Sequence, residues 1–202
     1  MNNMVIRVPL AVAAAAIVTA DVVNPRYSPV SETVSRYVNG NAGWLITVAI
    51  LGIGLASAVL AAMVRGPGRW ALAVWAGGLL VAGLFPADPP GRWSRPSVSE
   101  MVHGTAAWVA LAAFPVAAVL LTRAAALSHR RGVLIGLTAA SVVATAALFV
   151  VLGDVMDGPS LTVAGTPVVG LVERVVLAVD MVWLGIAAVT LRAPARRPAV
   201  SA

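Results

Sequence analysis

Charged residues are scarce in this sequence, and cysteine is missing. Only 11% of the 202 residues are charged, against about a quarter in soluble domains. Hydrophobic residues make up 60%, and the mean hydropathy is +0.93. This composition excludes an ordinary water-soluble domain. The absence of cysteine excludes disulfides, thiolate nucleophiles and thiolate metal sites, so nothing follows about the redox compartment.

Lysine is also absent, since all fourteen basic residues are arginine, and the formal net charge is +6. In a soluble protein this charge would favour binding to nucleic acid. In an apolar chain, arginines in short loops are typical of the cytoplasmic side of a membrane protein, where they face anionic headgroups. We therefore expect the lipid bilayer as a partner and no nucleic acid.

Six apolar stretches follow one another along the chain, each near the ~20 residues that an α-helix needs to cross ~30 Å of hydrocarbon. They cover residues 8–23, 43–64, 71–85, 102–122, 132–152 and 168–191, the third being short. The sequence predicts an all-α fold, a polytopic membrane bundle of six transmembrane helices that forms one domain over 1–191. The basic segment 192–202 is predicted to be a disordered cytoplasmic tail.

The charges divide between the two sides of these six stretches. Nine arginines and no carboxylate fall in the N-terminus, the second and fourth loops and the tail: Arg7, Arg65, Arg69, Arg123, Arg130, Arg131, Arg192, Arg196 and Arg197. The carboxylates fall in the other loops and the adjoining helix ends, except Asp180, which lies deeper in the last stretch. The positive-inside rule then predicts a multi-pass protein of the cell membrane with both termini in the cytoplasm.

The first stretch permits a second interpretation. Arg7, a short apolar run and the residues 18–20 before Asp21 also fit a cleavable signal peptide. Cleavage would leave five helices and an N-terminus outside, whereas retention gives six helices with both termini inside. The charge distribution favours retention.

The first and third loops share a residue pattern. Both contain Arg-aromatic-Ser, at 26–28 and 92–94, and then Val-Ser-Glu, at 30–32 and 98–100. Each copy brings an aspartate, a glutamate and a tryptophan: Asp21, Glu32 and Trp44; Asp88, Glu100 and Trp108; and, in weaker form, Asp154, Glu173 and Trp183. The pattern predicts repeated helix–outer loop–helix hairpins, as in many polytopic membrane proteins. Whether the last hairpin is a true copy stays open.

The first outer loop also contains a helical pattern. Ser28-Pro29 suits a helix start, and Val30, Val34 and Tyr37 recur at helical spacing after it. We therefore predict a short amphipathic helix over 29–38 on the outer surface.

Four short stretches resemble a known family. They are Pro25-x-Tyr27-Ser28, Phe85-Pro86-x-Asp88, His103 at the start of the fourth helix, and Gly170-Leu171-x-Glu173-Arg174. Through them the chain is similar, over nearly its whole length, to the prokaryotic membrane family catalogued as domain of unknown function 998. The resemblance implies a membrane protein of about six helices whose shared residues lie on the outer side. It implies no activity, because none is assigned to that family.

Glu100 and His103 are candidates for chemistry because, three residues apart, they share a helix face. Such a pair suits a proton relay or half of a metal site, or makes ordinary interfacial hydrogen bonds. Glu173 and Asp180 are seven apart and also share a face. A carboxylate as deep as Asp180 should face protein or a wet cavity. Three hydroxyl groups are candidate partners for it: those of Ser57, Ser141 and Thr145.

We predict two groups of site residues from these patterns. The catalytic group, for acid–base chemistry, consists of Asp88, Glu100, His103, Glu173 and Asp180. The binding group consists of Tyr27, Glu32, Arg36 and Arg174. No metal site is predicted, since the second histidine, His129, falls on the inner side, and no cofactor can be named.

Three classes of function stay open, and whether the protein is an enzyme stays open with them. The first is an outward-facing carboxylate/His site that binds a lipid or isoprenoid-like molecule or performs acid–base chemistry on it. The second is a proton- or cation-coupled small-molecule transporter, and the third is a structural membrane subunit without a site. Polar residues are scarce in the inner halves of the helices, which disfavours a through-path, so we favour the first class. The oligomeric state is not predicted.

Overall fold

Helices dominate the computed structural model, which describes residues 3–92, 95–125, 130–157 and 161–191. Six long helices are found: α1 Met4–Val23, α2 Trp44–Met63, α3 Gly68–Leu84, α4 Val98–Ala124, α5 Arg131–Asp157 and α6 Val169–Thr190. A 3-10 helix, Val34–Asn39, lies between α1 and α2. Strands β1 Thr162–Val163 and β2 Thr166–Pro167 form a short antiparallel hairpin before α6. The tail predicted for 192–202 lies outside the described residues.

Four helices, α1, α2, α4 and α5, are long and apolar enough to cross a membrane. Helix α3 is apolar but has only 17 residues, about 26 Å at 1.5 Å per residue. Helix α6 has 22 residues and contains Glu173, Arg174 and Asp180. The chain is therefore all-helical with four candidate membrane-spanning helices. Each of the six predicted stretches coincides with one long helix.

The helices pack mainly on their neighbours in the chain. Helices α1 to α4 pack in succession and α5 packs on α6, while α6 also contacts α1 and α2, so that the bundle closes on itself. The contact between α4 and α5 is less extensive than that between α3 and α4. Close approach of α3 to α4 depends on Gly78, where an added Cβ would lie 2.7 Å from the carbonyl oxygen of Ala106.

Three buried aromatic rings join α3, α4 and α6 in the core. The ring of Phe114 lies 4.8 Å from Trp75 and 5.5 Å from Trp183, between centroids, the second pair edge to face. All three side chains are fully buried. Both indole N–H groups are paired, because Trp75 donates to Ser57 at 2.9 Å and Trp183 donates to Thr138 at 3.0 Å. The core is thus filled with its polar ring atoms satisfied.

The helices alternate in direction, so their ends define two sides of the bundle. Helices α1, α3 and α5 end where α2, α4 and α6 begin, and we call this the acidic side, after Asp21, Glu32, Asp88, Glu100 and Glu173. The opposite side, with Arg65, Arg69, Arg123 and Arg131 at its helix ends, is called the arginine side.

The amphipathic helix predicted over 29–38 is wrong in its bounds and type. The structure has turns up to Glu32 and then a 3-10 helix from Val34 to Asn39. Its side chains Arg36 and Tyr37 are buried under the loops rather than lying on the outer surface. Contacts with distant segments therefore determine the bounds and type of this helix, and the local spacing of apolar residues does not.

Candidate functional site

Arg36 lies at the centre of the acidic side, with its side chain only 2% exposed. Its guanidinium donates to the carbonyl oxygens of Pro89 at 2.7 Å and Asp88 at 3.3 Å. Its Nη2 lies 3.7 Å from Oε1 of Glu100. Burial lowers the pKa of Arg36, and the negative charges of four surrounding carboxyl groups oppose that change: Glu100, Glu32, Asp88 and Glu173. One buried cation thus faces carboxylates from two loops and from the N-terminal ends of two helices.

Asp88 and Glu100 are held together at the start of α4. The backbone N–H of Asp88 donates to Oε2 of Glu100 at 2.7 Å, and the N–H of Ser97 donates to Oδ2 of Asp88 at 2.7 Å. Ser97 is also the N-cap of α4, since its hydroxyl accepts from the N–H of Glu100. The amide of Ser97 lowers the pKa of Asp88 because it stabilises the ionised carboxylate.

Arg174 ties the start of α6 to α1 and to the first loop. It donates twice to Asp21, with distances of 2.6 and 3.1 Å, and its Nη1 donates to the carbonyl of Glu32 at 2.9 Å. The guanidinium also lies 5.1 Å from the ring centre of Tyr37. The paired, parallel hydrogen bonds between Arg174 and Asp21 fix the orientation of both side chains.

Glu173 and Glu32 complete this group of side chains. Oε2 of Glu173 accepts from the backbone N–H of Val34, at the start of the 3-10 helix. Glu32 is partly buried, and burial raises its pKa while the charge of Arg36 opposes the rise. We call Asp21, Glu32, Arg36, Asp88, Glu100, Glu173 and Arg174 the carboxylate–arginine network.

Tyr27 supports the network through its backbone and its ring. Its carbonyl accepts from the hydroxyl of Tyr37 at 3.1 Å. The two rings meet edge to face, with centroids 5.2 Å apart. Tyr27, Glu32, Arg36 and Arg174, which the sequence predicts as binding residues, thus contact one another or shared neighbours on the acidic side.

His103 lies behind the network rather than in it. Its side chain is buried, and Nδ1 lies 2.8 Å from the carbonyl oxygen of Ala82 and 2.9 Å from that of Phe85, at the end of α3. Nδ1 therefore carries a proton that these acceptors share. Within the part of the chain that the structure describes, no hydrogen bond joins His103 to Glu100, although the two share a helix face.

Asp180 lies apart from the network, about 16 Å along α6 from the first residue of the helix. It is 1% exposed, and its Oδ1 accepts from the hydroxyl of Ser141 at 2.7 Å. The structure therefore brings Asp88, Glu100 and Glu173 together around Arg36. It places His103 and Asp180 elsewhere.

A cleft of about 410 Å³ opens beside the network, between the acidic ends of α4 and α5. Its lining consists of Arg92, Pro96, Glu100, Met101, Gly104, Thr105, Trp108, Val109 and Leu152. Glu100 belongs to both the cleft and the network. Trp108, which lines the cleft, stacks on Phe149 of α5 with centroids 4.7 Å apart.

The sequence patterns point to Arg92, Glu100 and Trp108 one by one but do not predict the cleft. A signal was available on α4, because Met101, Thr105, Trp108 and Val109 recur at the spacing of one helix face. That face meets residues of α5 only in the folded chain. The same face borders a second, shallower groove of about 510 Å³ towards Val81 of α3.

Comparison with known proteins identifies the family to which the chain belongs. The profile of the family described as protein of unknown function (DUF998) matches residues 8–190. The chain belongs to this family. The resemblance found in the sequence is thereby confirmed, and the DUF998 match covers all six long helices in whole or in large part. No curated protein and no solved structure matches the chain.

The DUF998 stretches quoted from the sequence gather on the acidic side. Tyr27, Asp88, Glu173 and Arg174 lie in or against the carboxylate–arginine network, and His103 lies just behind it. Among the described residues, no group of three or more His, Asp or Glu side chains is arranged to hold a metal ion.

Proposed function

We propose that the protein spans the cell membrane six times and that the cleft between α4 and α5 binds a lipid or isoprenoid-like molecule from the outer leaflet. The observation that carries this proposal is the make-up of the cleft. Arg92 precedes α4 and Glu100 lies in its first turn, whereas Trp108 and Val109 offer apolar surface about two helical turns further along α4. Such a gradient suits an amphiphile with its head at the membrane surface.

The chemistry of the cleft favours an anionic headgroup. Arg92 is exposed, and a guanidinium binds phosphate through paired hydrogen bonds. Trp108 and Val109 offer apolar surface for a hydrocarbon chain about two helical turns below Glu100. A volume of about 410 Å³ falls in the range of small-molecule sites. It suits a headgroup and the first part of a chain, with the rest lying along α4.

If the site performs acid–base chemistry on such a ligand, Glu100 is the residue that would donate or accept the proton. Of the five residues predicted as catalytic, it alone lines the cleft among the described residues. Arg36 and the amide of Asp88 fix its two oxygens, so these groups are positioning residues in the proposal. Glu173 does not line the cleft; it holds the 3-10 helix that carries Arg36 by accepting from the backbone N–H of Val34.

The six-span topology rests on the ends of the helices. Trp44 and Trp70, exposed at opposite ends of the bundle, suit the two membrane interfaces. The charged residues of α6, namely Glu173, Arg174 and Asp180, are all bonded within the protein, which allows α6 to span. The proposal includes cytoplasmic termini and three hairpins, α1–α2, α3–α4 and α5–α6, each joined on the outer side.

Native mass spectrometry of the purified protein tests the binding proposal. We expect a retained phospholipid or polyprenyl phosphate in the native protein. Retention should fall about tenfold, or 1.4 kcal/mol, in Arg92→Ala, because the headgroup loses its cation. Arg26→Ala is the matched control, since Arg26 is an exposed arginine in the first outer loop.

Two results would contradict the proposal. One is a native protein that retains no lipid beyond what a helical membrane protein of similar size carries nonspecifically. The other is equal retention in Arg92→Ala, Arg26→Ala and the native protein. Either result would favour a structural subunit in which the carboxylate–arginine network only joins helices.

A further inference from the structure

A row of hydroxyl-bearing side chains lies between α5 and α6, away from the cleft. Thr138, Ser141 and Thr145 recur on one face of α5 and are all buried. Thr138 accepts from the indole of Trp183 at 3.0 Å, and Ser141 donates to Asp180 at 2.7 Å. Thr138 and Ser141 thus face the side of α6 that carries Asp180 and Trp183. Thr145 lies one helical turn from Ser141 on the same face of α5.

Two buried polar atoms, one in this row and one on the facing side of α6, have no hydrogen-bond partner within the described residues. They are Oδ2 of Asp180 and Oγ1 of Thr145, in side chains that are 1% and 3% exposed. A threonine hydroxyl in a helix can donate to the carbonyl four residues before it. Thr19, which is exposed, and Thr190, which is half-buried, do so, each at 2.8 Å. Thr145 differs, so its oxygen is available to a ligand.

Asp180 has no cationic partner among the described residues. The ion pairs in the described chain are Arg36–Glu100 and Arg174–Asp21, and Asp180 belongs to neither. An ionised carboxylate buried without a counter-charge is strongly destabilising. One donated hydrogen bond from Ser141 offsets only part of that cost.

We propose that Asp180, Ser141 and Thr145 form a binding site for one monovalent metal cation between α5 and α6. Carboxylate and hydroxyl oxygens are ligands that hard cations prefer. Ser141 donates its hydrogen to Asp180, which leaves its oxygen lone pairs for the cation. One carboxylate balances one positive charge, whereas a divalent ion would leave a net charge inside the bundle.

A line of polar atoms connects this site towards the arginine side. The hydroxyl of Thr138, one turn from Ser141, lies 2.9 Å from that of Thr122 near the end of α4. Polar atoms therefore continue below Asp180, in the half of the bundle where the sequence suggests scarcely any. Trp183, bonded to Thr138, stands next to the site and can report on its occupancy.

Thermal unfolding of the full-length protein in detergent tests the site. The midpoint is measured at fixed pH and ionic strength while choline chloride is replaced by NaCl or by KCl. We expect a saturable rise in the midpoint with at least one of the two metal ions, together with a change in tryptophan fluorescence. Asp180→Asn should abolish both responses, and Thr145→Val should weaken the apparent affinity at least about tenfold, or 1.4 kcal/mol.

Thr190→Val is the matched control, because its hydroxyl bonds only to its own helix, and it should keep the native response. Equal midpoints in sodium, potassium and choline would overturn the proposal. A saturable response retained by Asp180→Asn would overturn it as well. If Asp180→Asn does not fold, an unchanged affinity in Thr145→Val suffices to reject the site. These outcomes are independent of lipid binding in the cleft.

Discussion

At the scale of single residues, Arg36 is the side chain on which the acidic side depends. It is almost fully buried and faces four carboxyl groups. Removing one partner of a buried pair leaves an uncompensated charge, which is far more damaging than loss of a surface pair. The other arginines of the first and third loops, Arg26, Arg92 and Arg95, are exposed.

Arg36→Met should therefore destabilise the protein by about 3–5 kcal/mol, because Glu100, Glu32 and Asp88 lose their shared cation. The unfolding midpoint in detergent measures the loss. Arg95→Met, at an exposed position of the third loop, is the control and should stay within about 0.5 kcal/mol of the native protein. Equal effects of the two substitutions would show that the network does not hold the acidic side together.

The hydrogen bonding of Asp88 predicts that the protein becomes less stable as the pH falls. The amide of Ser97 lowers the pKa of Asp88 below its ordinary value. The ionised form is therefore favoured in the folded state, and the resulting stability is present above the ordinary pKa. It is lost as the pH falls through the lowered pKa. Unfolding midpoints measured across this acidic range should fall more steeply for the native protein than for Asp88→Asn. Parallel curves for the two proteins would contradict the assignment.

At the scale of elements, the sequence predicts the long helices well and the 3-10 helix poorly. An apolar stretch of nearly membrane length forms a helix because a helix satisfies all of its backbone hydrogen bonds within the segment. The segment after Glu32 is decided instead by Glu173 and Arg174, which lie some 140 residues further along the chain. No local pattern contains that information. A loop of this kind can be predicted only when its distant partners are known.

The contact between this loop and α6 depends on Gly170. A Cβ added there would lie 2.3 Å from the carbonyl oxygen of Glu32, so Gly170→Ala should push the loop from α6. We expect a loss of about 1–3 kcal/mol in unfolding free energy. Gly185→Ala, on the same helix with open space around it, should be neutral or stabilising by up to about 1 kcal/mol. A neutral Gly170→Ala would contradict the close contact.

Candidate residues were easier to predict than their pairing. The sequence singles out Asp88, Glu100 and Glu173, and the structure gathers them around Arg36. The sequence also suggests Ser57, Ser141 or Thr145 as the hydrogen-bond partner of Asp180. Ser141 takes that place, whereas Ser57 accepts from Trp75. Which hydroxyl faces the carboxylate depends on how α5 and α6 pack, and helical spacing alone does not determine that.

At the scale of the whole molecule, the proposed topology places the arginine side in the cytoplasm. The chain has no cysteine, so single cysteines can be introduced without background. In intact cells a membrane-impermeant maleimide should label Leu161→Cys, exposed on the acidic side, and should not label Ala124→Cys, exposed on the arginine side. Labelling of Ala124→Cys should appear only after the cells are opened. The reverse pattern would contradict the orientation, and labelling of both in intact cells would contradict the six spans.

The central claim, that the cleft between α4 and α5 binds a lipid, is tested most directly by photocrosslinking. A phospholipid or polyprenyl phosphate with a photoreactive group near its head is activated in membranes containing the protein, and the modified peptides are identified by mass spectrometry. We predict crosslinks concentrated on Met101–Val109 and around Leu152, and strongly reduced in Arg92→Ala. Crosslinks spread evenly over the exposed faces of the helices, including Val116 and Val143 outside the cleft, would contradict the claim.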